Sequence, residues 1–302
     1  MKVIGKHQIY LGVSAAVILA SLILLVVKGL NFGIDFTGGT LLERGFEGRV
    51  NADQVQQVLA SPDLAAYGLG GSVVQPLEES SQDRSVILIR TKPFDGQEPI
   101  AAIDEALEAA FGEVEVRRSE FVGPVIGREL VRQAFWALLL AGAGILIYIS
   151  LRFEWRFGIA AVLALTHDVI VTLGVLSLLG SEINTPFVAA ILTVVGYSIN
   201  ATIVIFDRIR ENLAIRKRES LPDLVNASIR QTLARSINTS LTTLLVLVTL
   251  YIFGGSSIKD FTLTLLVGVV AGTYSSVFLA SPLWYLFRSA ADSEAAPQAA
   301  RA

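Results

Sequence analysis

About six stretches of this sequence are apolar for as long as a bilayer is thick, and one polar interval of ordinary domain size separates the first from the rest. A membrane helix needs about 20 mostly apolar residues. Lipid offers no hydrogen bonds, so such runs must satisfy their own backbone and fold as helices. The runs are Ile9–Val27, Ala134–Leu151, Gly158–Leu179, Pro186–Phe206, Thr232–Phe253 and Phe261–Phe287. Composition agrees, since 17% of the residues are charged against about 25% in soluble domains. The chain has no cysteine, which excludes disulfides, thiolate nucleophiles and cysteine metal sites and leaves the redox compartment open. Its histidines are His7 and His167, too few for a zinc cluster. No metal and no cofactor is expected.

Charges beside the runs set the orientation. Lys2 and Lys6 precede the first run. A cleaved leader is the competing reading there, but the run exceeds a leader's apolar core and LILLVVKGL lacks a small-x-small cleavage site. It reads as a retained anchor over residues 1–27. Arg152 and Arg156 lie between the second and third runs, a basic loop 207–231 joins the fourth and fifth, and Arg288 follows the sixth. The opposite loops, SEINT and GGSSIK, are nearly uncharged. The positive-inside rule then places both termini in the cytoplasm and residues 28–130 outside, in the periplasm of a diderm bacterium. The bundle covers 131–288, and 289–302 reads as a disordered tail. Arg208–Arg218 could pass for a nucleic-acid patch, but beside a membrane helix it reads as a topogenic segment touching lipid, with no nucleic-acid partner.

The polar interval reads strand, helix, strand, strand, helix, strand. The strands are Thr40–Phe46, Ser72–Leu77, Ser85–Arg90 and Val114–Val122, with the turn EESSQD between the second and third. The helices are Asn51–Ala60, with Asn51 as its cap, and Pro99–Phe111, whose Ile100, Ile103, Leu107 and Ala110 form a stripe. This order predicts an α+β ferredoxin-like domain. Its acids are scattered and it has no histidine, so it reads as a binding or coupling module. Asp35 and the pair Gly38-Gly39 in NFGIDFTGGT mark a backbone bend or a close approach at a structural junction. A phosphate loop would need the Lys and Ser/Thr that are missing here.

Polar residues inside the runs carry the functional signal. His167-Asp168 sits near the middle of the third run; the alternative is a pair that only holds helices together. Adjacent residues point about 100° apart, so both cannot squarely face one cavity. In the fourth run, Tyr197, Ser198, Asn200 and Thr202 interrupt apolar sequence around Ala201. In the fifth, Arg235 is followed by Asn238, Thr239, Ser240, Thr242 and Thr243. Arg235 either snorkels to the interface or serves a polar path inside the bundle, at the depth of Asn200 and Ala201. Gly268 and Gly272 give the sixth run a small-xxx-small packing face.

Three motifs together, GIDFTGGT, GYSIN-x-TIVIFDRIREN and RSINTSLTTLL, resemble the SecF family of the bacterial protein-export machinery, within the RND-type superfamily. The resemblance covers nearly the whole chain up to Arg288. It implies half of a pseudo-symmetric bundle that pairs with SecD, associates with the SecYEG channel, contacts membrane lipids and helps to draw exported polypeptide across the membrane with an ion gradient. It also implies a carboxylate after the Asn of GYSIN, working with an Arg that corresponds to Arg235. Position 201 holds Ala instead, which can neither take up a proton nor neutralise Arg235. The departure is either engineered or natural, with Asp168 or SecD then serving. The other functions considered are half of an RND-type small-molecule or lipid exporter and a scaffold without ion transport. A membrane enzyme is not expected, because Asp168 lacks a second intramembrane Asp and His167 a serine partner.

Overall fold

The computed structural model describes residues 2–77, 84–94, 98–216 and 219–299. It separates into two compact units: residues 32–135 with 183–185, and residues 1–31, 136–182 and 186–302.

The first unit is α+β. Its sheet holds β1 (Gly39–Glu47), β2 (Val73–Pro76), β3 (Arg84–Thr91) and β4 (Val114–Val122), in the order β2-β3-β1-β4 with antiparallel neighbours. Helices α2 (Ala52–Leu59) and α3 (Glu98–Phe111) fall where the sequence pattern put them. The EESSQD turn lies outside the described residues. Alternation along β1 sends Leu42 and Phe46 into a core with Val55, Leu59, Ile87, Ile89, Ile103 and Leu107. At the start of α2, Asn51 N donates to Gln54 Oε1 at 2.9 Å, half of a capping box. Two short 3-10 segments, Pro62–Tyr67 and Leu69–Gly71, fill the link to β2, where the sequence signalled no element.

The Gly38-Gly39 junction combines a bend and a close approach. Both residues have positive φ, 72° and 146°, and a Cβ at Gly39 would stand 2.6 Å from the Thr91 carbonyl oxygen. Asp35 Oδ2 accepts from Thr185 N at 2.7 Å, so this acid anchors backbone.

The second unit is helical. Its elements are α1 (His7–Val27), α4 (Pro124–Arg152, which begins in the first unit), α5 (Trp155–Leu179), α6 (Thr185–Ala214), α7 (Leu221–Phe253) and α8 (Lys259–Ser275). A single π turn, Ser276–Ala280, joins α8 to α9 (Ser281–Ala299). The six spans predicted from hydropathy are all present. α5 packs against α1 and α8. One core cluster gathers Phe157, Phe206 and Trp284; Phe157 stacks on Trp284 at 4.6 Å and meets Phe206 edge-on at 4.8 Å.

Two sequence boundaries are corrected. The loop expected over 207–231 is mostly helix. α6 runs on to Ala214, helped by the Arg208–Glu211 pair, and α7 starts at the Ser220 cap, whose Oγ accepts from Asp223 N. Arg208 and Asn212 reach Gln231 and Ser228 across the gap, at 2.6 and 2.7 Å. Hydropathy marks where apolar sequence ends, not where helical hydrogen bonding ends. Residues 217–218 of the basic segment lie outside the described residues. The expected disordered tail is helical backbone as far as Ala299, consistent with the high helix propensity of its alanines.

Candidate functional site

The buried polar centre of the helical unit is Asp168, 1% exposed, on α5. Its Oδ2 accepts from Ser198 Oγ of α6 at 2.6 Å and from Ser275 Oγ of α8 at 2.8 Å. Its Oδ1 lies 2.9 Å from His167 Nδ1. The neighbours therefore do share one pocket: the 100° offset between them is spanned by the side chains rather than by the backbone. Thr172 Oγ1 donates to the Asp168 carbonyl at 2.7 Å. His167 is 3% exposed, its ring stacks near Tyr274 at 6.0 Å, and its Nε2 makes no hydrogen bond among the described residues.

A second hydroxyl cluster links α6, α7 and α8. Tyr197 Oη donates to Ser240 Oγ at 3.0 Å, and Thr273 Oγ1 lies 2.7 Å from the same oxygen. Close packing makes both clusters possible. A Cβ at Gly272 would come within 2.8 Å of Ser198 Cβ, so the glycine lets α8 approach the serine that binds Asp168. Gly268 plays the same part against Val194. Both therefore sit where α8 and α6 approach closely.

The polar residues of α6 and α7 divide by helical face. Ser198 and Thr202 are four apart, share one face and are buried; Asn200 lies opposite and is exposed, and Ala201 is half-buried. On α7, Ser236 and Ser240 face inward, while Arg235, Asn238, Thr239 and Thr242 form an exposed stripe. Thr239 Oγ1 donates back to the Arg235 carbonyl and Thr242 Oγ1 to that of Asn238, a common way for hydroxyls to be satisfied within a helix. The Arg235 guanidinium makes no hydrogen bond or ion pair among the described residues. Arg235, Asn200, Asn238 and Thr239 are exposed in this chain, and none of them bonds to Asp168 among the described residues. They lie on the outer wall of the bundle, because positions 235, 238, 239 and 242 are turned away from 236 and 240. The sequence run looked continuous because it superposes two faces. Ser275 was missed altogether, because a serine near the end of an apolar run carries little signal until α8 is placed beside α5.

Six membrane-length helices with an α+β unit and a buried carboxylate among hydroxyls define a multi-pass membrane protein with an intramembrane polar site. Residues 102–290 match the family model for the protein export membrane protein SecD/SecF, C-terminal region, and residues 23–43 match the SecD/SecF GG motif. The chain belongs to the SecD/SecF family.

It is 45% identical over 289 residues to a protein translocase subunit SecF of Sebaldella termitidis, covering 95% of this chain and 92% of that one. To the protein translocase subunit SecF of Vibrio alginolyticus it is 45% identical over 277 residues, covering 89% and 84%. The crystal structure of SecDF, a translocon-associated membrane protein from Thermus thermophilus, superposes with a TM-score of 0.86 at 36% identity. That match covers 96% of this chain and 39% of the SecDF chain, so the present chain spans well under half of that protein.

Proposed function

We propose that the chain is an auxiliary subunit of the Sec translocase that pairs with SecD and draws on the proton gradient to promote export of polypeptides through the SecYEG channel. Both termini face the cytoplasm and the α+β unit stands on the opposite side. The observation that carries this reading is the exposed stripe of Arg235, Asn238 and Thr239 on α7, with Asn200 exposed on α6. A lone bundle would have to present these groups to lipid, which is costly for an arginine. A second six-helix half laid over them would turn the stripe into the wall of an internal polar path. A chain that matches 39% of a SecDF leaves room for that half.

At the join, position 201 decides the coupling. A carboxylate there could exchange a proton and face the Arg235 guanidinium; Ala201 can do neither. The subunit therefore assembles and couples weakly at this position. Installing the acid, Ala201→Asp, is expected to raise proton-gradient-dependent export several-fold in vesicles carrying this chain with SecD and the channel, with gradient-independent export unchanged. An unchanged gradient dependence would sink the assignment of position 201. A second reading, a scaffold subunit without ion transport, is favoured by the alanine itself. It predicts that collapsing the gradient leaves export untouched in both proteins.

A further inference from the structure

A site at position 201 makes no use of the best-surrounded acid in the bundle. Asp168 accepts from Ser198 and Ser275 and shares a hydrogen bond with His167 Nδ1, three partners on three helices. The groups facing it can be named element by element. On its own helix stand His167 and Thr172. α6 gives Ser198 and α8 gives Ser275 and Tyr274. α1 gives Ser14 and the Tyr10 carbonyl, both joined to Tyr274 Oη at 3.2 Å. The titratable side chains beside Asp168 are therefore His167 and, stacked on it, Tyr274, and no Lys or Arg pairs with Asp168 among the described residues.

An acid with no cation but a histidine cannot cheaply hold a net charge in dry surroundings. One proton carried on Asp168 as Asp–COOH beside a neutral imidazole, beyond the one on Nδ1, leaves the pair without net charge. The hydrogen bonds accommodate both charge states. Without the extra proton, three donors hold the carboxylate. With the proton on Oδ2, that oxygen cannot go on accepting from both serines while donating its own hydrogen. Ser275 has a second acceptor ready: its Oγ lies 3.3 Å from the Gly272 carbonyl oxygen. The other mobile position is His167 Nε2, buried and without a hydrogen bond among the described residues.

The π turn Ser276–Ala280 begins at the next residue, with Ser281 Oγ donating to the Ser276 carbonyl at 3.2 Å. Single π turns inside α-helices are frequent at functional sites. We propose that His167 and Asp168 form a proton-exchange site inside the bundle and that the π turn shifts with its proton through Ser275. The inference rests on the reading of this chain as a proton-driven subunit, and it adds a site and a moving part which that reading does not contain. Uptake forms one O–H bond on Asp168 at the expense of a hydronium ion, which leaves as water; nothing is oxidised or reduced.

The test is infrared difference spectroscopy of the full chain in lipid nanodiscs across a pH series, with hydrogen exchange read at residues 276–280. Wild type should show a carboxylic-acid carbonyl band that disappears as pH rises, with exchange at 276–280 changing at the same midpoint. Asp168→Asn should abolish the band. Ser275→Ala keeps the acid but removes the hydroxyl that joins it to α8, so it should keep the band and leave exchange at 276–280 no longer following it. Ser275→Ala also keeps the test decisive should Asp168→Asn fail to fold. A band missing from wild type at every pH, one persisting in Asp168→Asn, or exchange at 276–280 that still follows the band in Ser275→Ala overturns the proposal. So does exchange at 276–280 that is indifferent to pH. Export by the whole complex separates the two ideas. A titrating band with gradient-independent export defeats the proposed function and leaves this site standing; gradient-driven export with no titrating band does the opposite.

Discussion

Asp104→Ala is expected to loosen the α+β unit by about 3–5 kcal/mol, the range for stranding one member of a buried ion pair. Arg44 is fully buried on β1. It points to the same side as Leu42 and Phe46, beside a register shift between Glu43 and Arg44. Its Nε and Nη2 donate to both oxygens of Asp104 on α3, at 2.7 and 3.0 Å. Nη1 donates to the Arg118 carbonyl at 2.8 Å and to Ser119 Oγ at 3.0 Å. Removing the carboxylate leaves a guanidinium with hydrogen bonds but no counter-charge in the core. The double change Arg44→Met with Asp104→Leu removes both charges and should cost clearly less than the single one. Limited proteolysis of the full protein across a denaturant series would report both, read from fragments cut between residues 32 and 135. A double variant as sensitive as Asp104→Ala would show that the pair's charge is not what matters there.

The second large effect is in the helical unit. A Cβ at Gly268 would lie 2.3 Å from Val194 Cγ2, and one at Gly174 would lie 2.4 Å from Ser21 Cβ. Neither contact can be relieved without moving a helix, since 2.7 Å separates the Gly174 position from Ser21 Cα itself. Overpacking of this kind costs about 1–3 kcal/mol, occasionally more, and in a bilayer close helix contact is itself a main source of cohesion. Gly174→Val and Gly268→Val should each remove most of the monodisperse protein seen on size exclusion in mild detergent. Gly144→Ala, where a Cβ meets nothing within 4 Å, should behave as wild type. Full recovery of Gly268→Val would mean that α6 and α8 are free to part.

What was legible in the sequence follows from which forces act locally. The six spans were visible because lipid demands long apolar helices whatever their neighbours do. The βαββαβ order was visible because strand alternation and the stripe on α3 are periodic within a few residues. The ends of α6 and α7 were not, because charge stops a hydropathy window without stopping a helix that is capped by Ser220 and cross-linked by Arg208 and Asn212. In the candidate site, Asp168 and Ser198 stood out as polar residues in apolar runs. Their shared cluster did not: it depends on Gly272 admitting α8 against Ser198 of α6, and on Ser275, 107 positions from Asp168 in sequence. Arg235 was legible as an anomaly but not as an outward one, because assigning a face requires knowing which neighbours bury Ser236 and Ser240.

The division of polar residues between the inner cluster and the outer stripe has a genetic corollary. Asp168 draws its partners from helices of its own chain, so second-site mutations that rescue a damaged Asp168 should arise within the same gene, on α6 or α8. Arg235 and Asn200 find no side-chain partner among the described residues. With the proposed second half laid over that wall, their suppressors are expected at the locus that encodes it.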